Sequence, residues 1–305
     1  MVHGTHNAVY DSRNEKIKIY INGDLFIRNE AKISVFDSGY LVGDGIWEAV
    51  RLVKGKLVFI DDHISRLWTA AKTTGINLSF TKAELKAIIK SVLKENDMHD
   101  GVHVRFMVTR GLKKTPSQDP RLTVSGPNLV IIPEYKLADS NSKTKGIKLF
   151  TSTIRRGSPD YLDPKLNCHS KLHEVQALIQ AIEAGADEAL MLDVNGSVST
   201  CNSTNFFIVK NGVVITSTGQ YCMNGITRQK IIDVCKRKNI LCKQENYSLF
   251  DVYGADEAFV TGTFAGLTPV VSVDGRVIGE NSNNEICQSL MQGYRELIEE
   301  QLDNG

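Results

Sequence analysis

The first half of the chain spells out much of its topology in turn chemistry. In "IKIYINGDLFI" (17–27) apolar and polar residues alternate around Asn22-Gly23, a dipeptide that tolerates positive φ at both centres of a tight hairpin. "WEAVRLVKGKLVFID" repeats the device around Lys54-Gly55. Two helical periods follow. "DDHISRLWTAAKTTGI" has Asp61 or Asp62 placed as N-cap and Gly75 at its end, and "TKAELKAIIKSVLKEN" carries a Thr81/Glu84 capping box. "GVHVRFMVTRG" and "NLVIIPEY" then return to strand. Strands and helices that mix without strict βα alternation predict an α+β fold rather than a doubly wound sheet.

At 305 residues the chain exceeds one ordinary core, so two domains are expected. The polar, aperiodic run "LADSNSKTK" (137–145) reads as their linker. It separates a small N-terminal domain over 15–136 from a larger C-terminal one over 146–305. In the second half, "GIKLFTST", "EALMLD", "FFIVKNGVVIT" and "EAFVTGT" read as strands, with helices over 170–184, 227–239 and 284–302. The polar stretch "LKKTPSQDPRLTVSGP" (112–127) is long enough to serve as a lid.

A formal charge of +1 leaves no overall attraction for nucleic acid or anionic membrane. No apolar run reaches the ~18 residues of a membrane span, and the polar start lacks a signal peptide's apolar stretch. Six cysteines without metal spacing point to a reduced, cytoplasmic setting and no metal site.

Several segments could carry chemistry. "NGITRQK" places Gly225, Ile226 and Thr227 at a helix start, where free amides and a hydroxyl can cradle a phosphate, although the same residues also spell an ordinary Thr-capped helix. "VTGTFAGLTP" (260–269) runs a strand into a small-residue turn that holds Thr263 and Phe264. Arg105 alternates with apolar neighbours in "HVRFMV", and an inward-facing strand arginine needs an anionic partner. His103 shares its face, as a satisfied strand histidine. Lys165 and Lys171 flank the connector "LNCHS", and a lysine kept partly neutral can attack a carbonyl.

The order of these segments resembles one family. "GDGIWEAVR", "HISRL", "VTRG", "AGADEALMLDVNGSVS", "NFFIVKNG", "NGITRQK", "ADEAFVTGT" and "TPVV" follow one another as in the fold-type IV pyridoxal-phosphate enzymes. This class IV aminotransferase family includes branched-chain aminotransferases, D-amino acid transaminases and aminodeoxychorismate lyases. The resemblance implies two α/β domains, the larger with a mixed sheet, and a homodimer with pyridoxal 5′-phosphate in the cleft between domains. It assigns Arg66, Ile226, Thr227 and Thr263 to the cofactor phosphate. The amides of Thr263 and Phe264 face the substrate carboxylate, with Arg105 on the substrate side and Tyr40 in the pocket wall.

Two positions depart from the family. Its cofactor-binding lysine, in patterns such as "IKSLNYLNNVLA", aligns with Asn167 of "LNCHSKLHEVQA". Its glutamate of "VSEGSGEN", which pairs with the pyridine nitrogen, aligns with Thr200 of "VSTCNSTN". The family position matching Lys171 adjoins the ring hydroxyl, so Lys171 is the expected catalytic amine. Lys165 is the second choice, on the reasoning that in a strand it shares the face of Asn167. The leading expectation is an aminotransferase moving an amino group between a branched-chain-like amino acid and a 2-oxo acid. A lyase of the same branch and a phosphate-ligand binder that has lost transamination are the alternatives.

Overall fold

The computed structural model describes residues 4–5, 8–138, 140–279 and 284–303. Contacts divide the chain into two compact units. The N-terminal unit holds Val9–Leu137 and, from much later in the chain, the connector Asn167–Lys171. The C-terminal unit holds Ala138–Leu166 and Leu172–Asn304, together with the first residues of the chain.

The N-terminal unit runs β1 (Lys18–Ile21), β2 (Asp24–Ile27), α1 (Ser38–Val42), β3 (Gly45–Val53), β4 (Lys56–Leu57), α2 (Ile60–Thr74), α3 (Lys82–Glu95), β5 (Val102–Thr109) and β6 (Asn128–Tyr135). These strands make one antiparallel sheet of order β2-β1-β6-β5-β3-β4. Both expected hairpins form. Asn22 and Gly23, and likewise Lys54 and Gly55, have positive φ, as a turn matched to the strand twist requires. The capping box at Thr81 and Glu84 is present, and Gly75 closes α2 in the left-handed conformation at φ 65°. The N-cap of α2 is a correction. Phe59, at φ 54°, occupies that position without a side-chain cap, so Asp61 and Asp62 lie inside the first turn. There they favour the positive end of the helix dipole instead of capping it.

Alternation along β3 sends Ile46, Glu48, Val50 and Leu52 to one face, all buried. That face meets the side chains of α2, since Glu48 bonds to His63 and Arg66 there. Gly45, Trp47, Ala49 and Arg51 take the other face. Their partners in β5 are Thr109, Met107, Arg105 and His103. The 112–127 segment is folded back by a bridge between Lys113 and Thr123, and buried Lys113 Nζ donates to Asp119 O at 2.9 Å.

The C-terminal unit runs α4 (Ser140–Lys145), β7 (Ile147–Thr151), α5 (Leu172–Glu183), β8 (Glu188–Leu192), β9 (Val198–Cys201), β10 (Asn205–Lys210), β11 (Val213–Thr216), α6 (Ile226–Arg237), β12 (Cys242–Gln244), α7 (Leu249–Tyr253), β13 (Glu257–Gly262), β14 (Gly266–Val273), β15 (Arg276–Val277) and α8 (Glu285–Asp303). Its mixed nine-stranded sheet has the order β12-β11-β10-β13-β14-β7-β8-β9, with β15 on β14. The polar run expected as linker contains α4. Aliphatic side chains of β7, β8, β10 and β13 form the main core, while Ala177 and Ala181 bring α5 close to Ala189 and Met191 of β8. Phe207 and Phe259 stack at 4.8 Å. The architecture is α+β. All six cysteines are free, and no described helix is long and apolar enough to cross a membrane.

Candidate active site

The connector Asn167–Lys171 behaves as a short added strand. Trp47 N donates to Asn167 O at 3.0 Å and His169 N to Gly45 O at 2.9 Å, with Cys168 bridged to Ile46. The Asn167 side chain repeats the pairing, Nδ2 donating to Trp47 O at 2.8 Å, while the indole Nε1 donates to Cys168 O at 3.2 Å. Asn167 is 4% exposed, and its Oδ1 is buried without a partner.

His169 lies against glycine. A Cβ on Gly45 would stand 2.8 Å from the imidazole Cε1 and Nδ1, and one on Gly39 would stand 3.0 Å from Nδ1 and 2.5 Å from Thr109 Cγ2. The two glycines make the seat for the ring. Burial lowers the His169 pKa, Arg105 and Lys171 add to the effect, and Asp37 and Asp44 oppose it. The ring is neutral, and its Nε2 has no partner.

Arg105 lies on the same face of the sheet as Trp47 and half-covers the indole, its guanidinium carbon 4.0 Å from the ring centroid. Burial lowers its pKa, with Glu134 acting the other way, but a guanidinium stays charged. Among the described residues no carboxylate forms an ion pair with it. His103 beside it is buried, and Tyr40 on α1 is 75% exposed.

Arg66 belongs to the opposite, helix-side face. Its Nε donates to Glu48 Oε1 at 2.6 Å and Nη2 to Glu48 Oε2 at 2.8 Å, a two-pronged pair with the guanidinium one-fifth exposed. Burial alone would push the Glu48 carboxyl up, yet Arg66 and His63 outweigh it and hold its pKa below the usual carboxylate value. Burial lowers His63, against the pull of Glu48, so the neutral ring donates Nδ1–H to Glu48 Oε2 at 2.7 Å. Glu48 thus fixes the arginine that a phosphate would meet.

In the C-terminal unit, α6 begins without a side-chain cap. Gly225 is the N-cap, and Thr227 sits inside the first turn, which corrects the expectation of a Thr-capped helix. A Cβ at Gly225 would come within 2.2 Å of Asn205 Oδ1, an atom pinned because Asn205 Nδ2 donates to Met223 O at 2.8 Å. Buried Arg228 anchors the same turn by donating to Ser217 O at 2.6 Å and Gln244 Oε1 at 3.0 Å. Thr200 is buried, its Oγ1 donating to Thr204 O at 2.7 Å. Thr263 is half-buried in the turn between β13 and β14, with buried Phe264 beside it.

The two lysines are not equivalent. Lys165 is exposed and sits in a turn where its own N–H caps onto Asp163 Oδ1 at 2.9 Å, not in a strand. Lys165 falls within the C-terminal unit and Asn167 within the other, so the shared-face argument for Lys165 does not hold. Lys171 is half-buried and immediately precedes α5, one residue outside the helix first expected to include it. Its charge is felt by His169.

The described residues hold no cluster of metal-ligating side chains. The comparisons with known proteins give the family. The model of the family "Amino-transferase class IV" matches residues 45–273. The chain belongs to the class IV aminotransferase family. A branched-chain-amino-acid aminotransferase-like protein 2 of Arabidopsis thaliana is 37% identical over 94% of this chain, which spans only 51% of that protein. A putative branched-chain-amino-acid aminotransferase of Methanocaldococcus jannaschii is 37% identical over 92% of this chain and 96% of its own length. A solved T.th. branched-chain amino acid aminotransferase with pyridoxamine 5′-phosphate superposes with a TM-score of 0.86, at 26% identity over 93% of this chain and 95% of that one.

Class IV aminotransferases use pyridoxal 5′-phosphate, and the residues here fit most of that group. The start of α6, with no side-chain cap, fits a phosphate, and Arg105, with no ion-pair partner among the described residues, fits a carboxylate. Position 167 offers an amide where the family has an amine, and Thr200 a hydroxyl where it has a carboxylate. Sequence reasoning missed Glu48, although an acid among the alternating apolar residues of "GIWEAVRLV" was a readable signal. It also missed His169, whose neighbours are distant in sequence.

A pKa depressed on folding contributes stability above the unfolded value that is lost as pH falls. His63, whose usual value is 6.5, and Glu48 both act in this sense. The unfolding midpoint in denaturant should therefore drop between about pH 7 and about pH 5. A His63→Gln variant should show a shallower slope in that window. Equal slopes in both proteins would place the sensitivity elsewhere.

Proposed function

We propose that the chain is a pyridoxal-phosphate-dependent aminotransferase that moves an amino group between a branched-chain-like amino acid and a 2-oxo acid. The observation that carries this reading is Arg105, a half-buried guanidinium stacked on Trp47 with no ion-pair partner among the described residues. Such a cation needs an anion of its own, and the carboxylate common to amino acids and 2-oxo acids meets the need. The relatives named above support the branched-chain preference.

When bound, pyridoxal 5′-phosphate supplies the carbonyl that takes up the amino group and the conjugated ring that shares the electron pair left at Cα. Free amides at Ile226 and Thr227, with the Thr227 hydroxyl and the Thr263 turn, hold the phosphate. In the N-terminal unit, Arg66 is the cation suited to a phosphate, in the orientation Glu48 sets. Arg105 would orient the substrate carboxylate, while the Trp47 indole keeps water from the guanidinium's inner side. Lys171 Nζ would be the amine that serves the bound cofactor and carries a proton to and from Cα. Thr200, its proton already donated to Thr204 O, can accept a hydrogen bond at the ring nitrogen but supplies no negative charge.

A homodimer fits the same reading. Leu172, Val175, Ile179 and Ile182 on α5 are 71%, 50%, 48% and 58% exposed, and their 3-4-3 spacing makes one continuous apolar stripe. A second copy of the chain is the occupant we assign, its own α5 stripe packing against this one. Substituting Val175→Glu and Ile179→Glu together should halve the mass seen by sedimentation. Unchanged mass would remove α5 from the interface.

The functional reading is tested by following amino-group transfer from leucine, isoleucine and valine to 2-oxoglutarate with added cofactor. Arg105→Ala should raise KM for both substrates by about 10–100-fold, the worth of one charge-assisted hydrogen bond. No transfer by the wild-type chain with any of these donors, or an Arg105→Ala variant with unaltered KM, would overturn it.

A further inference from the structure

We infer that Asn167 is an amine-receiving residue: its buried Oδ1 accepts a hydrogen bond from the amino group of pyridoxamine 5′-phosphate, so this chain is built to hold that form of the cofactor. The inference rests on the functional reading above, since it needs the cofactor at the family's site.

The atom assignment is fixed by chemistry. The Asn167 amide approaches Trp47 O at 2.8 Å, and only the NH2 end can face a carbonyl oxygen without repulsion. The other end is therefore the acceptor. It is buried, and no group among the described residues satisfies it, in a residue 4% exposed. The side chain is held in place by its Nδ2 bond to Trp47 O, in a connector whose backbone is paired to Trp47 and Gly45. Buried acceptors left unpaired in a rigid setting are rare and ask for a donor.

The donor is identified by the position. Residue 167 aligns with the family lysine, whose amine bonds to the cofactor's C4′ carbon, so whatever C4′ carries lies nearest to residue 167. An aldehyde there presents lone pairs to a lone pair and is repelled. An amino group presents N–H to Oδ1 and is held. The neighbouring side chain on the same strand face, His169, is held neutral by its burial.

Asn167 cannot replace the lysine covalently, because the amide nitrogen has no free lone pair and is engaged by Trp47 O. Its role is to position the amine form, which leaves the covalent step to Lys171.

Binding distinguishes the possibilities without an activity assay. Pyridoxamine 5′-phosphate and 4′-deoxypyridoxine 5′-phosphate, which has a methyl group in place of the aminomethyl, are titrated calorimetrically into the cofactor-free chain and its variants. The wild-type chain should prefer the amine by about tenfold, the effect of one hydrogen bond. Asn167→Leu should bind the deoxy compound as before and lose the preference. Retained binding of the deoxy compound shows that the variant is folded. An Asn167→Leu variant with an undiminished preference would overturn the inference while leaving the functional reading intact. If the wild-type chain bound neither compound, the functional reading itself would fail, and the inference with it.

Discussion

Pairing between Trp47 and the Asn167 connector is the interaction on which the rest of the N-terminal unit's chemistry depends. Backbone and side chain of Asn167 both engage Trp47, and this draws five residues from late in the chain onto the edge of an early sheet. The same contact presents the Trp47 ring on which Arg105 lies, seats His169 on Gly45 and Gly39, and places Lys171 at the threshold of α5. On the other face of β3, Glu48 does the corresponding work for Arg66. Arg105 and Arg66 thus meet opposite faces of β3, one through Trp47 and one through Glu48, by the two-residue period of the β backbone.

The electrostatics of the two arginines differ in a way that matches their proposed ligands. Arg66 is already paired with Glu48, so a bound phosphate would join an existing charge pair. Arg105 lies on an aromatic face and feels Glu134 only at a distance, with no ion pair among the described residues. In the C-terminal unit, the uncapped α6 offers amides instead of a cation. By the resemblance, positions 167 and 200 are where the chain departs from its family, an amide standing for an amine and a hydroxyl for a carboxylate.

Elements governed by local chemistry were legible in the sequence. Asn22-Gly23 and Lys54-Gly55 make hairpins because their φ angles are set within the dipeptide, and the Thr81–Glu84 box closes within four residues. Phe59 hid the true start of α2, since a bulky residue at positive φ violates the local preference and is imposed by the fold. Lys165 looked like a strand neighbour of Asn167 until the turn at Asp163 separated them. Glu48 and His169 were overlooked for another reason. Their partners lie 18 residues away for Glu48 and Arg66 and more than a hundred for His169 and Gly45, so no window of sequence contains the contact.

The central claim is that the covalent amine of the family has moved from position 167 to Lys171. Borohydride reduction of the protein with pyridoxal 5′-phosphate, followed by peptide mapping, reads this directly. The account predicts a phosphopyridoxyl group on Lys171. A label on Lys165 instead, or bound cofactor with no labelled lysine, would contradict it.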